Sequence, residues 1–433
     1  MTCSAITDLF IYNHQTPFIM ITKPRFVQLI VMSAFLMVAA CSPPHEELTI
    51  SNPLALFRVD EPVVISRADL ETNYGLIPAG MLPLLVSAAG DTIPVQHDDI
   101  NGDGQWDELF FLATLEPSVS KVFRLVYLNM ADIPVFEHRT NVRFARIQEE
   151  TYVPLVRGTR LTAEEGLAGG VFQMEGPAWE NDRVGFRNYF DVRNGMDIFG
   201  KTVPDMVLDR VGIDEDYHVM QPWGMDILRV GPSLGAGSLA IEKDDELIRV
   251  GPDAEGSYEL IVHGPMRSVF RLRFDNWAVD GQVISLVHDI EIVGGAWYYT
   301  SHVTLGNASA NIRPVTGITT IDLEQKVASE FVEASRVVTV ATHGNQAYDF
   351  EKLGLAIMLD YDSYQGYDHT PDQSEMPNTF VVRMDATAPQ PLAFRFYSCW
   401  EVSEPRFAEE TYFLDFLKTE ALKKAFPLEV VLN

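Results

Sequence analysis

The chain has 433 residues, 47 % of them hydrophobic, and a formal net charge of −29, so it carries enough apolar material for a large core. So acidic a balance argues against binding nucleic acid or anionic lipid through charge. It does not exclude an anionic substrate, because a local cluster such as Arg183, Arg187, Arg193 and Lys201 reverses the field at one place.

Residues 20–41 have a short basic start (Lys23, Arg25), an apolar run from Phe26 to Ala40 and small residues before Cys41. This is the layout of a secretory signal, with Met20 as the expected start. Val38-Ala39-Ala40-Cys41 has the form of a lipobox, which predicts removal of residues 1–40 and lipidation of Cys41. The expected location is therefore outside the cytoplasm, in the periplasm or at the cell surface, with membrane contact through the lipid anchor alone. Of the three cysteines, only Cys41 and Cys399 remain after that cleavage, so no internal disulfide supports the fold.

After a short tether to about residue 54, the pattern turns to short alternating runs separated by Gly, Pro, Asn and Asp. The earlier ones are 62–66, 82–86, 121–128, 142–147, 184–192, 259–263 and 268–274, and the later ones 283–293, 297–305, 336–342, 355–359, 379–384, 392–400 and 428–432. Period-two alternation with turn residues at this spacing predicts a mainly β protein, a large antiparallel sandwich filling residues 55–433, with a smaller β unit over 55–150 as an option. Helical spacing is convincing only over 407–426, where Phe413, Phe416, Leu417 and Phe426 share a face.

Four stretches carry candidate chemistry. In the first, Asp99, Asn101, Asp103 and Asp107 place side-chain oxygens around Gly104, as in the short DxNxDGxxD calcium loops of extracellular β proteins; an acidic Asx turn gives the same residues. In the second, Glu175–Lys201, alternation over 184–192 puts Val184, Phe186, Phe190 and Val192 on one face and Arg187, Tyr189, Asp191 and Arg193 on the other. Trp179 and Glu180 precede that run. Ring, cation and carboxylate at this density suit a sugar, stacked on an aromatic face and held by Arg and carboxylate groups. The bland alternative is a solvated face with cross-strand Arg–Asp pairs.

The third stretch, Asp214–Asp226, offers His218 as general acid or base, with Trp223 and Asp226 as ligand contacts. In the fourth, Arg267, Arg271, Arg273 and Asp275 alternate with Phe270, Leu272 and Phe274, a second cationic stripe of the same construction, with His263 just before it. If the two stripes are neighbours, they line a basic concave sheet. His288 reads as a core histidine. The chain has no HExxH pair and no CxxC, which disfavours zinc-protease and redox readings.

The blocks GPAWENDRVGFRNYFDVRNGMDIFGK, NGDGQWDELFFLATLEP and WGMDILRVGPSLGAG resemble an uncharacterised family of exported bacterial proteins, a domain of unknown function from polysaccharide-degrading organisms, over nearly the whole mature chain. That resemblance implies a supersandwich similar to galactose mutarotases and polysaccharide lyases, in which a large sheet presents a concave carbohydrate-binding face. No catalytic residue is carried over from it.

The leading expectation is action on a uronate-containing glycan by β-elimination. Arg187 and Arg193 would neutralise the carboxylate, His218 and Tyr189 would serve as base and acid, and Trp179, Glu180, Asp191, Trp223, Asp226 and Arg271 would bind substrate. The alternatives are a non-catalytic glycan-binding lipoprotein, a glycoside hydrolase using Glu180 with Asp191 or Asp226, and a sugar epimerase. The only expected cofactor is structural calcium.

Overall fold

The computed structural model describes residues 46–388 and 390–433; the signal segment, Cys41 and the first part of the tether lie outside them. The residues from His45 on form one compact unit. Its largest part is a two-layer antiparallel sandwich. One layer is a nine-stranded sheet in the spatial order Arg157–Thr159, Glu255–His263, Arg267–Val279, Gln282–Val293, Tyr298–Gly306, Leu392–Trp400, Lys352–Asp360, Val337–Asn345 and Ser329–Glu333.

The facing layer is made of two five-stranded sheets. The first runs Gly224–Asp226, Met196–Lys201, Val184–Asn188, Ala178–Asn181, Thr140–Arg143. The second runs Glu246–Arg249, Ala236–Lys243, Ile312–Thr319, Thr379–Met384, Tyr364–His369. A bridge between Met196 and Gly235 joins them. Inward-facing side chains of all three sheets share one core, in which Trp179 packs on Phe270 and Tyr299, and Phe186 on Tyr299 and Phe396. Burying aromatics of this size contributes about 2–3 kcal/mol each.

Residues 46–136 build a smaller β unit with its own core of Leu48, Ile50, Val63, Ile65, Leu84, Phe111 and Leu125. Glu47–Ser51, which the sequence reading assigned to the tether, is a strand of that unit. The chain returns at its far end to complete it: Glu429–Leu432 pairs antiparallel with Glu47–Ser51, Leu432 opposite Leu48. The option of a unit over 55–150 runs too far, because Thr140–Arg143 already pairs with Ala178–Asn181 of the sandwich. Its helix Arg67–Tyr74, N-capped by Ser66, was not anticipated; it buries only Leu70 and has no apolar stripe to read.

The helix Glu410–Ala425 lies on the outer face of the nine-stranded sheet, where Phe413 and Leu417 are buried and Phe416 and Phe426 pack at the edge. Gly354 lets it approach closely, since a Cβ there would stand 2.5 Å from the Phe413 ring.

Candidate functional site

Three separate segments converge on Arg187. The strand Val184–Asn188 carries it, Met196–Lys201 brings Asp197 directly opposite in the ladder, and Gly224–Asp226 brings Asp226 from the next strand. Because the pleat sends Phe186 into the core, it sends Arg187 to the other side of the sheet. That side is covered too, by the loop through Tyr217, and Arg187 keeps only 2 % of its side chain exposed.

Its Nη2 donates to Asp197 Oδ2 and Asp226 Oδ2, both at 2.7 Å, and its Nη1 donates to the Tyr217 hydroxyl at 2.9 Å. The Tyr189 hydroxyl donates to Asp197 Oδ2 at 2.5 Å. The rings of Tyr189, Tyr217 and Phe199 lie about the guanidinium at 4.9, 5.0 and 5.3 Å.

Burial pulls against the charge on Arg187, but Asp197 and Asp226 outweigh it and hold the guanidinium well above its ordinary value. Burial, with Asp197 beside it, pushes Asp226 well above the carboxylate range. Tyr189 is raised by burial and by Asp197, so it keeps its proton. The network thus holds one cation and, in Asp226, one carboxyl that favours its protonated form.

His218 is the solvent end of this network. Its side chain is 52 % exposed, its Nδ1 lies 3.1 Å from Asp216 Oδ1 and its Nε2 3.8 Å from Asp226 Oδ2, and its ring lies 4.5 Å from that of Tyr217. Arg193 stands on the other side of Tyr189, its guanidinium 4.2 Å from that ring. It is held by Asp191 at 2.6 Å and lies 3.4 Å from Glu175, while its Nη1 has no hydrogen-bond partner among the described residues.

The structure therefore brings together Arg187, Tyr189, Arg193, His218 and Asp226, and adds Glu175, Asp197 and Tyr217, which the sequence reading did not assign.

The remaining candidates have other tasks. The run 184–192 is a strand only to Asn188; Tyr189 to Arg193 form the turn after it, so Phe190 and Asp191 reach their places through a turn. Trp179, expected to stack on a sugar, is 0 % exposed in the core. Glu180 is equally buried: one oxygen takes the Lys201 ammonium at 2.5 Å and the other accepts the backbone N–H groups of Val207 and Leu208, so it pins a loop. Asp191 is buried, accepts from Ala168 N and clamps Arg193. Trp223 is buried against Phe199 and donates to Glu215.

Arg271 pairs with Asp289 on the nine-stranded sheet. Since Phe270 and Phe186 both point into the shared core, Arg271 and Arg187 stand on opposite outer sides of the sandwich. The expected basic concave surface between the stripes does not form. Arg267 turns instead to Asp98 and Glu108 of the smaller unit. His288 is a core histidine, bonded to Ser301.

In the acidic loop, Asp99 accepts the N–H groups of Gly102, Asp103 and Gly104, Asp107 accepts those of Ile100 and Asn101, and Asp103 accepts that of Gln105. Asn101 donates to Asp107. This is a turn satisfied by its own amides.

The chain is similar to the "Uncharacterized protein P7" of Formosa agariphila, 25 % identical over 263 residues, which are 56 % of this chain and 59 % of that protein. Among solved structures it is similar to an α-mannosidase from Enterococcus faecalis V583, with TM-score 0.48 and 9 % identity, over 90 % of this chain and 46 % of that one. It is also similar to a glycosyl hydrolase family 38 protein from Enterococcus faecalis, with TM-score 0.47 and 8 % identity, over 90 % and 47 % of the two chains. The chain thus spans less than two thirds of the curated relative and about half of each solved neighbour. A profile of one family matches residues 50–430, and the chain belongs to it: the domain of unknown function DUF4861.

Proposed function

We propose that this is a carbohydrate-active protein that acts on a uronate-containing glycan by β-elimination at the rim of the Arg187 network. The observation that carries the reading is the convergence of Tyr189, Arg193, Tyr217 and His218 around one buried Arg–Asp–Asp cluster whose solvent end is a histidine. His218 takes the proton beside the uronate carboxylate, the C–O bond to the leaving sugar breaks as the double bond forms, and a tyrosine hydroxyl returns a proton to the leaving oxygen. Arg193, through its unused Nη1, faces the carboxylate. Arg187 is a positioning residue, because its charge is already matched by two carboxylates.

The test is the ultraviolet absorbance of the unsaturated product during incubation with polymannuronate, polygalacturonate and glucuronan oligosaccharides. The expected result is a rise on one of them that falls about 100-fold or more in His218→Ala. New reducing ends without absorbance would replace elimination by hydrolysis.

A second reading, a non-catalytic glycan-binding protein, is favoured by the complete burial of Arg187. Retarded migration in glycan affinity gels with no absorbance change selects it. In either case we infer export with a lipid anchor at Cys41, supported by the sequence of residues 20–41.

A further inference from the structure

A cleft with a volume of about 790 Å³ lies away from Arg187, where the smaller β unit meets the sandwich. That volume is ample for a small ligand. His97, Trp106 and Phe136 of the smaller unit line one side, and His138, in the segment that follows that unit, and His263 of the sandwich line the other.

Two of the histidines have fixed tautomers. His97 Nε2 lies 2.8 Å from Pro83 O, which only accepts, so Nε2 carries the proton. His263 Nε2 lies 3.1 Å from Asn141 Oδ1. The orientation of that amide is set by its Nδ2, which faces Glu180 Oε1 at 3.3 Å and Asp209 Oδ1 at 3.5 Å. In both rings Nδ1 is left as an acceptor. Burial lowers both imidazoles below their ordinary value, and His138, its ring 5.7 Å away, adds to this at His263.

Charge is absent from the rest of the lining in usable form. No Lys or Arg is among the lining residues. Asp98 is bound to Arg267, and Asp99 is taken up by its own loop amides. Trp106, set edge-on to His97 at 5.6 Å, supplies an aromatic surface.

We propose that this cleft is a second binding site, for a neutral saccharide, whose hydroxyls donate to the Nδ1 atoms of His97 and His263 while a sugar face packs on Trp106. No Lys or Arg lines it, and the one cation nearby, Arg67 at 5.3 Å from the Trp106 ring, is paired with Glu71 at 2.9 Å, so its specificity is opposite to that proposed at the Arg187 rim, and it stands or falls independently of that reading.

The experiment is titration of the mature chain with cellobiose, xylobiose, mannobiose, laminaribiose and, as the charged control, digalacturonate. Binding is read by tryptophan fluorescence and by the histidine ring resonances. The expected result is saturable binding of at least one neutral disaccharide, with digalacturonate about tenfold weaker or worse. His263→Ala, checked for a wild-type circular dichroism spectrum, weakens binding about tenfold. Trp106→Phe removes the fluorescence change while the His263 resonance still shifts. The proposal is overturned if no neutral probe saturates, if digalacturonate binds as well as the neutral sugars, if folded His263→Ala binds like wild type, or if the histidine signals respond to zinc and to none of the sugars.

Discussion

Arg187 shows how one buried side chain decides the state of its neighbours. With Asp197 balancing its charge, Asp226 is left to burial and to a like charge, and both favour its proton. Removing the cation and removing that carboxyl should then differ sharply. Arg187→Met leaves two buried carboxyl groups without their cation and is expected to cost about 3–5 kcal/mol in urea unfolding. Asp226→Asn keeps an acceptor for Arg187 and is expected to cost on the order of 1 kcal/mol.

The pH dependence follows from the sign of the shift. A carboxyl raised in the folded state stabilises fully below its unfolded value of about 3.9, and loses that contribution as the pH rises toward its folded value. Wild type should therefore lose stability relative to Asp226→Asn as the pH rises above about 4, and the gap should close below it. Parallel curves would show that Asp226 is ionised in the folded protein. Arg187, Tyr189, His218 and Asp226 were legible as candidates from residue type and loop position. Asp197 and Tyr217 were not, because period two names two faces of a strand and does not say that both are covered.

At the level of elements, short apolar runs bounded by turn residues were easiest to read. Thr379–Met384 and Leu392–Trp400 were delimited between turn residues, and Phe413 and Leu417 marked the helix Glu410–Ala425. Met196–Lys201, buried at every position, and the strand Ala236–Lys243, buried at all but its last, were missed, since strands covered on both faces that carry glycine and buried charged residues show no apolar–polar period to detect. The loop 99–107 shows the converse. Its residue types fit both a calcium loop and an Asx turn, and a calcium titration separates the two.

Since those carboxylates already hold the loop amides, the melting temperature is expected to be the same in a chelator and in about 5 mM calcium, above the dissociation constants of extracellular calcium modules. A rise of several degrees, lost in Asp99→Ala, would show that Asp99, Asn101, Asp103 and Asp107 turn their oxygens to a cation.

For the molecule as a whole, the sandwich and its acidic surface were legible, whereas the joining of its two cores was not. Contacts between residues far apart in sequence do that joining. Gln96 bonds to the backbone of Met266 and Arg267, Arg267 reaches Asp98 and Glu108, and Arg139 ties Asp60 to Asp182. Breaking buried pairs of this kind costs several kcal/mol, so calorimetry is expected to show one cooperative transition, with calorimetric and van't Hoff enthalpies equal. Two resolved transitions would mean that the smaller core melts alone. The closing strand Glu429–Leu432 bears on how the protein is made. Its partner Glu47–Ser51 is synthesised early and must wait, one edge open, until nearly everything that follows has been translated. The first sheet is consequently the last to be finished, and a growing chain that stalls short of residue 429 carries an unpaired edge able to recruit another nascent copy.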